Sequence, residues 1–556
     1  MEKIWIDHYQ PGVPADIGEP IYTSLTDMFE KSCKQYASHP AYSNLGTQLT
    51  YQELETKTLA FAAFLQQRLL LKKGDRFAIM MPNILQYPVV LFGALRAGLT
   101  IVNLNPLYTA VELIPVLQDS GAKAIVILAN FTSALQEALP KTAVEHVIVT
   151  EVGDLFPVLK KIAVNFVVKY IKKMIPIEGI KGAYYFNDVL NQGKQLTFKS
   201  PTVTSEYIAF LQYTGGTTGI PKGAVLTHGN LIANIMQLLC WVKPVLKFGE
   251  EVIITPLPLY HIFSLTTNCL LFCAIGGLSV LITNPRDIPA FITELKQTKF
   301  TAICGVNTLF YALLKNPEFT KINAKNLRFS IAGGMAISQT VADQWYKITG
   351  NVIIEGYGLT EASPVVAVNP LNTHAFTGSV GLPLPSTDVS IRDERNQEVP
   401  LGKTGELCVK GPQVMKGYWQ STELSHQTFT PDGWLRTGDV ARMNEQGYIY
   451  LVDRIKDMIL ISGFNVYPHE IEEVIAKHQS VAEVAVIGIP DERTGEAIKA
   501  FIVKKDESLS QQEILDLCHK FLTPYKIPRV IEFIAELPKS PVGKILKKQL
   551  KEPRTS

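Results

Sequence analysis

Short runs of apolar, β-branched residues alternate with longer stretches of helical period over most of the chain. AKAIVIL (122–128), EHVIVT (145–150), YIAFLQYT (207–214), NVIIEGYG (351–358) and AEVAVIGIP (482–490) read as strands. Between them, stretches such as LIANIMQLLCWV (231–242) carry the period of a helix. This alternation predicts an α/β fold. After residue 430 the texture changes. PDGWLRTGDV (431–440) and NEQGYIYLVDR (444–454) predict turns and short strands, and beyond the charged run DRIKD (453–457) a compact pattern of helices and strands fills the remainder. The expected organisation is a large multi-subdomain N-terminal unit over 1–452, a joint at 453–457 and a small mobile α+β domain over 458–556.

Two segments raise the question of a membrane. From His261 to Pro285 there is no charged residue. A spanning helix needs about 20 predominantly apolar residues, and Ser264, Thr266, Thr267, Asn268 and the Gly276-Gly277 pair interrupt this one. A buried helix–turn–strand is expected instead. Segment 156–175, FPVLKKIAVNFVVKYIKKMI, contains no acid, the nearest being Asp154 and Glu178. At about 100° per residue, Lys161, Asn165, Lys169, Lys172 and Lys173 share one arc. Leu159, Ala163, Val164, Val167, Val168, Tyr170, Ile171 and Met174 form the opposite one, while Lys160 and Ile162 break the pattern. Two readings follow: a helix packed on a domain with its lysines in water, or a helix lying on an anionic bilayer.

Composition narrows the class. With 53 basic and 51 acidic residues the net charge is +2, too balanced for a general nucleic-acid binder. Any charge-driven partner must meet a local patch. Apolar residues at 47% and charged residues at 19% argue against disorder. Seven scattered cysteines without a CxxC pair exclude the usual zinc and thioredoxin-like motifs and fit a reducing compartment. The opening MEKIWIDHYQPG lacks the apolar stretch of a signal peptide, so a cytoplasmic location is expected.

The strongest chemical signal is Tyr213-Thr-Gly-Gly-Thr-Thr-Gly-Ile-Pro-Lys222-Gly223. It follows an apolar strand and precedes a helix that opens near Thr227–Asn230. Its glycines let backbone N–H groups approach a phosphate, its threonines add hydroxyls and Lys222 adds charge. It is not a Walker A loop, because GxxxxGK[ST] cannot be threaded through it. A second signal is Glu355-Gly-Tyr-Gly-Leu-Thr-Glu361-Ala after the strand NVII. Tyr357 offers a flat face for a base, and Glu361 is of the type that holds Mg²⁺ alongside phosphate oxygens. The last glycine of a dinucleotide fingerprint is missing. Third come Gly405–Gly411, Gly433–Asp439 and Asp453–Asp457, where an Asp can accept from ribose hydroxyls and an Arg can donate to them. The fourth is Pro538-Lys-Ser-Pro-Val-Gly-Lys544.

Together these segments, in this order, resemble the adenylate-forming acyl-CoA synthetases. The opening KIWIDHY, LQYPVVLFGALRAG and LITNPRDIP are similar to the bacterial long-chain fatty-acid–CoA ligases within that family, so the likeness covers essentially the whole chain. The resemblance implies that residues 1–452 form an AMP-binding adenylation domain. It implies that long-chain fatty acid, ATP and CoA react through acyl-AMP to acyl-CoA, AMP and pyrophosphate, feeding fatty-acid degradation or lipid synthesis.

By the same resemblance, Thr214, Gly215, Gly216, Thr217, Thr218, Gly219 and Lys222 grip the ATP phosphates, and Thr214 and Glu361 hold Mg²⁺. Gly333, Gly334, Glu355, Gly356 and Tyr357 form the adenine pocket, with Gly358 and Thr360 also on the ATP site. Asp439 and Arg454 hold the ribose. Lys544 is the adenylation lysine, and His261 lies beside the acyl pocket. Arg454, Lys456 and Asp457 form the hinge. Position 215 is Gly where many relatives carry a hydroxyl residue, and the tail GKILKKQL has lysines where arginines are frequent. Other expectations are a peripheral place on the cytoplasmic face of the membrane through 156–175, no nucleic-acid partner, and a possible homodimer. Alternatives remain at this level: within the family, a ligase for shorter or aromatic acids or a non-CoA adenylating enzyme, and from another class a non-catalytic lipid-binding or uptake protein.

Overall fold

The computed structural model describes residues 2–214, 221–461, 464–491, 493–540 and 543–551. The apolar runs become central strands of two mostly parallel sheets. In a seven-stranded sheet, Arg76–Met80, Thr100–Asn103, Ala124–Leu128, His146–Thr150 and Ile208–Thr214 run parallel. Ala124–Leu128 is buried along its whole length, which is why it reads as continuously apolar rather than alternating. A nine-stranded sheet has a parallel core of Leu278–Leu281, Val252–Thr255, Ala302–Gly305, Phe329–Ala332 and Ile353–Gly358, with antiparallel strands at its edges. Parallel pairing has a direct consequence. The carboxyl ends of all these strands emerge on one side, so Gly333-Gly334, Glu355–Gly358 and the loop from Thr255 to His261 gather there.

A buried polar network locks the two sheets together at that end. The Asn83 amide donates to the carbonyls of Thr255 and Leu257, each at 2.9 Å, and accepts from the Leu259 N–H at 2.8 Å. The Tyr87 hydroxyl donates to Asn103 and to the Leu259 carbonyl at 2.8 Å. Gln212 donates to the Tyr260 carbonyl at 2.8 Å. Fully satisfied buried amides of this kind fix one arrangement, because any other would strand a polar group.

The segment 261–285 is a buried helix–turn–strand. Ile262–Ser264 is helical, Leu265–Leu270 widens into a π turn, Leu271–Ala274 follows, and Leu278–Leu281 is a strand. Among the described residues no helix is long and apolar enough to cross a membrane. The helix foreseen at 231–242 runs His228–Val242, started by a reciprocal cap between Thr227 and Asn230. One element differs from the sequence reading. Lys222–Thr227 is a strand antiparallel to Ile208–Thr214, with Thr214 opposite Lys222. Thr214 and Lys222 are therefore the paired ends of a hairpin. KGAVLT has little strand propensity of its own, and its partner strand supplies the pairing.

The segment 156–175 also differs. Val158–Phe166 is an α-helix continued by the π-helix Val167–Ile171. Part of its polar arc turns inward, while Lys169, Lys172 and Lys173 stay exposed. Lys161 pairs with Asp154 at 3.1 Å, Asn165 accepts from the Gly153 N–H at 2.8 Å, and Lys160 donates to the Leu45 carbonyl. The helix is thus pinned by its polar side, because Asp154 and the Gly153 amide needed partners that an apolar face cannot give.

A four-stranded antiparallel sheet, Asp388–Arg392, Gly405–Lys410, Leu435–Met443 and Ile449–Arg454, follows the two large ones. From Arg454 a single 3₁₀ turn, Ile455–Asp457, leads into the strand Ile459–Ile461 of a five-stranded sheet, on which the helices Pro468–Ala476 and Gln511–Phe521 pack. The chain is an α/β protein with a large N-terminal region and a small C-terminal one.

Candidate active site

The hairpin tip begins at Thr214. Its base is held by Tyr213, whose hydroxyl donates to the Asp119 carboxylate, while the Trp419 indole donates to the Asp119 carbonyl at 3.1 Å. Gly215, Gly216, Thr217, Thr218 and Gly219 lie outside the described residues. Gly417–Trp419 lies along the other edge of the hairpin: the Trp419 N–H donates to the Gly223 carbonyl at 2.7 Å and the Val225 N–H to Gly417 at 2.9 Å. This brings the Tyr418 hydroxyl to Glu361, where it donates to Oε1 at 2.5 Å. Glu361 sits on the short helix Thr360–Ala362, which packs on the hairpin strand Lys222–Thr227. Glu361 is therefore carried to the hairpin by tertiary contacts, far from it in sequence.

Glu355 to Gly358 closes the strand Ile353–Gly358, next to Gly333 on the neighbouring strand end. A Cβ at Gly358 would lie 2.3 Å from the Pro364 carbonyl oxygen, so only glycine fits there. Glu355 is buried and accepts from the Ile337 N–H at 3.2 Å. Burial pushes its carboxyl up to about 7. Among the described residues nothing meets its second oxygen. A buried acceptor left open inside a pocket wall is expensive unless a ligand completes it.

Tyr357 is buried, and its hydroxyl donates to the Asp439 carboxylate at 2.5 Å. Burial and that carboxylate together hold the phenol well above its ordinary range. Asp439 also receives Arg454 Nε at 3.0 Å, the two residues facing each other across paired strands. The next residue back, Asp453, accepts from the Arg454 N–H at 2.7 Å and from the His469 N–H of the C-terminal region at 2.8 Å.

The C-terminal region delivers Lys544 to the same place. Ser540 and Lys544 close a turn, with the Ser540 N–H donating to the Lys544 carbonyl at 2.7 Å and the Gly543 N–H to Ser540 at 2.9 Å. Gly543 has φ +83° and lies flush on Thr308, so a Cβ there would be 2.6 Å from the threonine hydroxyl. Burial pushes Lys544 down to about 8, with Arg454 and Lys456 adding to the effect and Asp439 and Asp457 opposing it. Lys456 is lowered by its own burial, then by Arg454 and Lys222. Burial and the nearby Lys544 push His261 down to about 4, so its imidazole is neutral at pH 7. Lys222, Arg454, Lys456 and Lys544 therefore converge from three separate segments, and among the described residues Arg454 is the one ion-paired to Asp439. Such a cluster is built for a polyanion.

The residues suit a hard divalent cation. Glu361 gives Tyr418 one oxygen, and among the described residues no other side chain takes its carboxylate. With the Thr214 hydroxyl and phosphate oxygens, that is an all-oxygen donor set of the type Mg²⁺ prefers. Among the described residues there is no cluster of three His, Cys, Asp or Glu side chains poised for a metal. A cation here would lean on its substrate for most of its ligands. Sequence reasoning missed Asp119, Tyr418 and Trp419. The aromatic pair in KGYWQ was the available signal, but its partner Glu361 was not readable without the fold.

An open buried carboxylate oxygen and a cluster of cations at parallel strand ends, with a lysine brought in from the C-terminal region, suit a nucleoside triphosphate. The chain belongs to the AMP-binding enzyme family: residues 29–419 match its main domain and residues 470–544 the AMP-binding enzyme C-terminal domain. It is 52% identical, over 99% of its own length and 98% of the relative's, to a long-chain-fatty-acid–CoA ligase of Escherichia coli O6:H1. Among solved structures, an anthranilate CoA ligase in complex with anthranoyl-AMP aligns with TM-score 0.83 at 25% identity, covering 96% of this chain and 97% of that one. ATP-bound MatB from Rhodopseudomonas palustris aligns at 0.81 and 27% identity, covering 95% and 98%. The apo form of MatB aligns at 0.72.

The lowered pKa of Lys544 generates a prediction. If its charge is used on ATP, kcat/KM for ATP in pyrophosphate exchange falls as pH rises through about 8, because the free enzyme loses that proton. Bound triphosphate favours the protonated lysine, so the kcat limb lies higher. Lys544→Arg, charged at every accessible pH, removes the alkaline limb while lowering the rate. A wild-type profile that stays flat well above pH 8 contradicts this role.

Proposed function

We infer that the chain is an ATP-dependent ligase that joins long-chain fatty acids to CoA through an acyl-AMP intermediate. The observation that carries this reading is the convergence of Lys222, Arg454, Lys456 and Lys544 at the strand ends, in a chain similar over its whole length to long-chain-fatty-acid–CoA ligases. In the first step a fatty-acid carboxylate oxygen attacks the α-phosphorus of ATP. The bond to the bridging oxygen breaks and pyrophosphate leaves. In the second, CoA thiolate attacks the acyl carbonyl and AMP leaves with its electron pair. Both attacking groups are anionic, so the site's task is to hold negative charge rather than to supply a nucleophile.

Residue roles follow from position. The hairpin from Thr214 to Lys222 cradles the phosphates. Glu355 accepts from the adenine amino group with its open oxygen, and Tyr357 stacks on the base. Asp439 and Arg454 take the ribose. Lys544 neutralises the α-phosphate during attack, and neutral His261 lines the acyl side without adding charge. Mg²⁺, held by Glu361 and Thr214, supplies Lewis-acid stabilisation of the phosphate oxygens when bound. The closer likeness to ATP-bound than to apo MatB supports a C-terminal region set for adenylation. Thioester formation then needs the Lys544 turn to withdraw, pivoting at 455–457. The enzyme works in the cytoplasm at the membrane face, where its poorly soluble substrate collects.

Three experiments test the reading. ATP–pyrophosphate exchange across acyl chain lengths should favour long-chain acids, and Lys544→Ala should lower it by about 10²-fold or more while acyl transfer from supplied acyl-AMP to CoA persists. Equal loss of both half-reactions refutes the role of Lys544. Glu361→Gln keeps size and removes charge, so the Mg²⁺ concentration needed for ATP binding should rise with fatty-acid affinity unchanged. An unchanged titration removes Glu361 from the metal site. Lys456→Pro fixes φ near −65° within a turn that already suits adenylation. Acyl-AMP should still form while thioester formation drops steeply; normal thioesterification would move the pivot elsewhere.

A further inference from the structure

The helix Val158–Phe166 and its continuation Val167–Ile171 carry a feature the adenylation chemistry does not use. A surface helix normally turns its apolar face to the core and its lysines to water. Here two polar side chains take the inward place instead. Lys161 and Asn165 are committed inward to Asp154 and Gly153. Leu159, Ile162, Phe166, Tyr170, Ile171 and Met174 point outward, with exposures of 84, 61, 54, 60, 64 and 52%. Contiguous large apolar side chains of this kind are rare on a free surface and mark a contact. The inward hydrogen bonds also exclude the simplest alternative, that the helix could roll over and bury this face against its own domain. Doing so would strand the buried Gly153 N–H and break the Asp154 pair.

We propose that this face docks on an anionic lipid bilayer. The proposal rests on the long-chain substrate reading for its purpose, and on the following observations for its chemistry. Exposed Lys169, Lys172 and Lys173 lie on the same short segment as the apolar side chains, and no acid occurs between Asp154 and Glu178. Lys169 sits 5.5 Å over the Tyr170 ring, and Phe166 lies 5.1 Å from that ring, an aromatic and basic grouping suited to the headgroup boundary. An apolar stripe flanked by three exposed lysines, of which Lys169 feels the nearby Glu151, is complementary to acyl chains under negative headgroups. It is a poor match for a protein partner of ordinary mixed charge. The chain would lie on the surface without spanning it.

The test is flotation of the full chain with phosphatidylcholine vesicles, with and without phosphatidylglycerol. Wild type should float with the anionic vesicles. Ile162→Ser/Phe166→Ser/Ile171→Ser should lower the partition coefficient by ~10-fold or more at both low and high salt. Lys169→Gln/Lys172→Gln/Lys173→Gln should lower it by a similar factor at low salt and little at high salt, where the attraction is screened. The single variant Phe166→Ser should give a smaller loss in the same direction if the triple variant folds poorly. Pyrophosphate exchange with a water-soluble shorter acid reports folding and should be unchanged in all of them. Equal flotation of the apolar variants and wild type overturns the proposal. So does a wild-type dimer that becomes monomeric in the apolar variants with vesicle binding intact, which would make this face a contact between two copies. Loss of long-chain preference in exchange would defeat the substrate reading instead, and leaves flotation as an independent result.

Discussion

The site depends on the carboxylate of Asp439. It lies on the strand Leu435–Met443 of the small antiparallel sheet, receives the Tyr357 hydroxyl from the large sheet and pairs with Arg454 at the last position before the joint. A buried carboxylate must be fully partnered, and losing one partner costs several times what an exposed pair contributes. That requirement fixes the small sheet against the strand Ile353–Gly358. It also fixes where the chain leaves for the C-terminal region, and hence how far the Lys544 turn reaches. One carboxylate with two partners thus ties that strand to the joint.

The electrostatics follow from that geometry. Lys544 and Lys456 are held partly out of water beside Arg454, and both are depressed below the ordinary lysine range, by burial first and by Arg454 second. Cations gathered in this way repel until an anion arrives. A polyanion among them would relieve that repulsion. His261, pushed down by burial and by Lys544, adds no further charge there.

The helix Val158–Phe166 shows the same logic at the surface. Its orientation is decided by two polar demands of the underlying loop, the Gly153 N–H and the Asp154 carboxylate, and its apolar side chains take what is left. The helical arcs of the sequence do not survive intact, since Lys161 and Asn165 turn inward while Lys169, Lys172 and Lys173 stay exposed, and periodicity cannot say which side faces the protein when the protein offers polar groups. Similarly, the hairpin strand Lys222–Thr227 was hidden because its six residues lack strand character without their partner.

Much was legible from the chain alone. The buried parallel strands announced themselves as unbroken apolar runs, because helices on both faces leave no polar side. Thr214 to Lys222, Glu355 to Glu361, Asp439, Arg454 and Lys544 stood out because phosphate and nucleotide chemistry needs glycine, hydroxyl, carboxylate and cation at short spacing, and such groupings are rare by chance. Tertiary structure decided what those residues do to one another. Tyr418 meets Glu361, Tyr357 meets Asp439, and Lys222, Lys456 and Lys544 share one field, though each comes from a distant part of the chain. A pKa, an open carboxylate oxygen and the outward face of a helix are properties of surroundings, and surroundings are made by the fold.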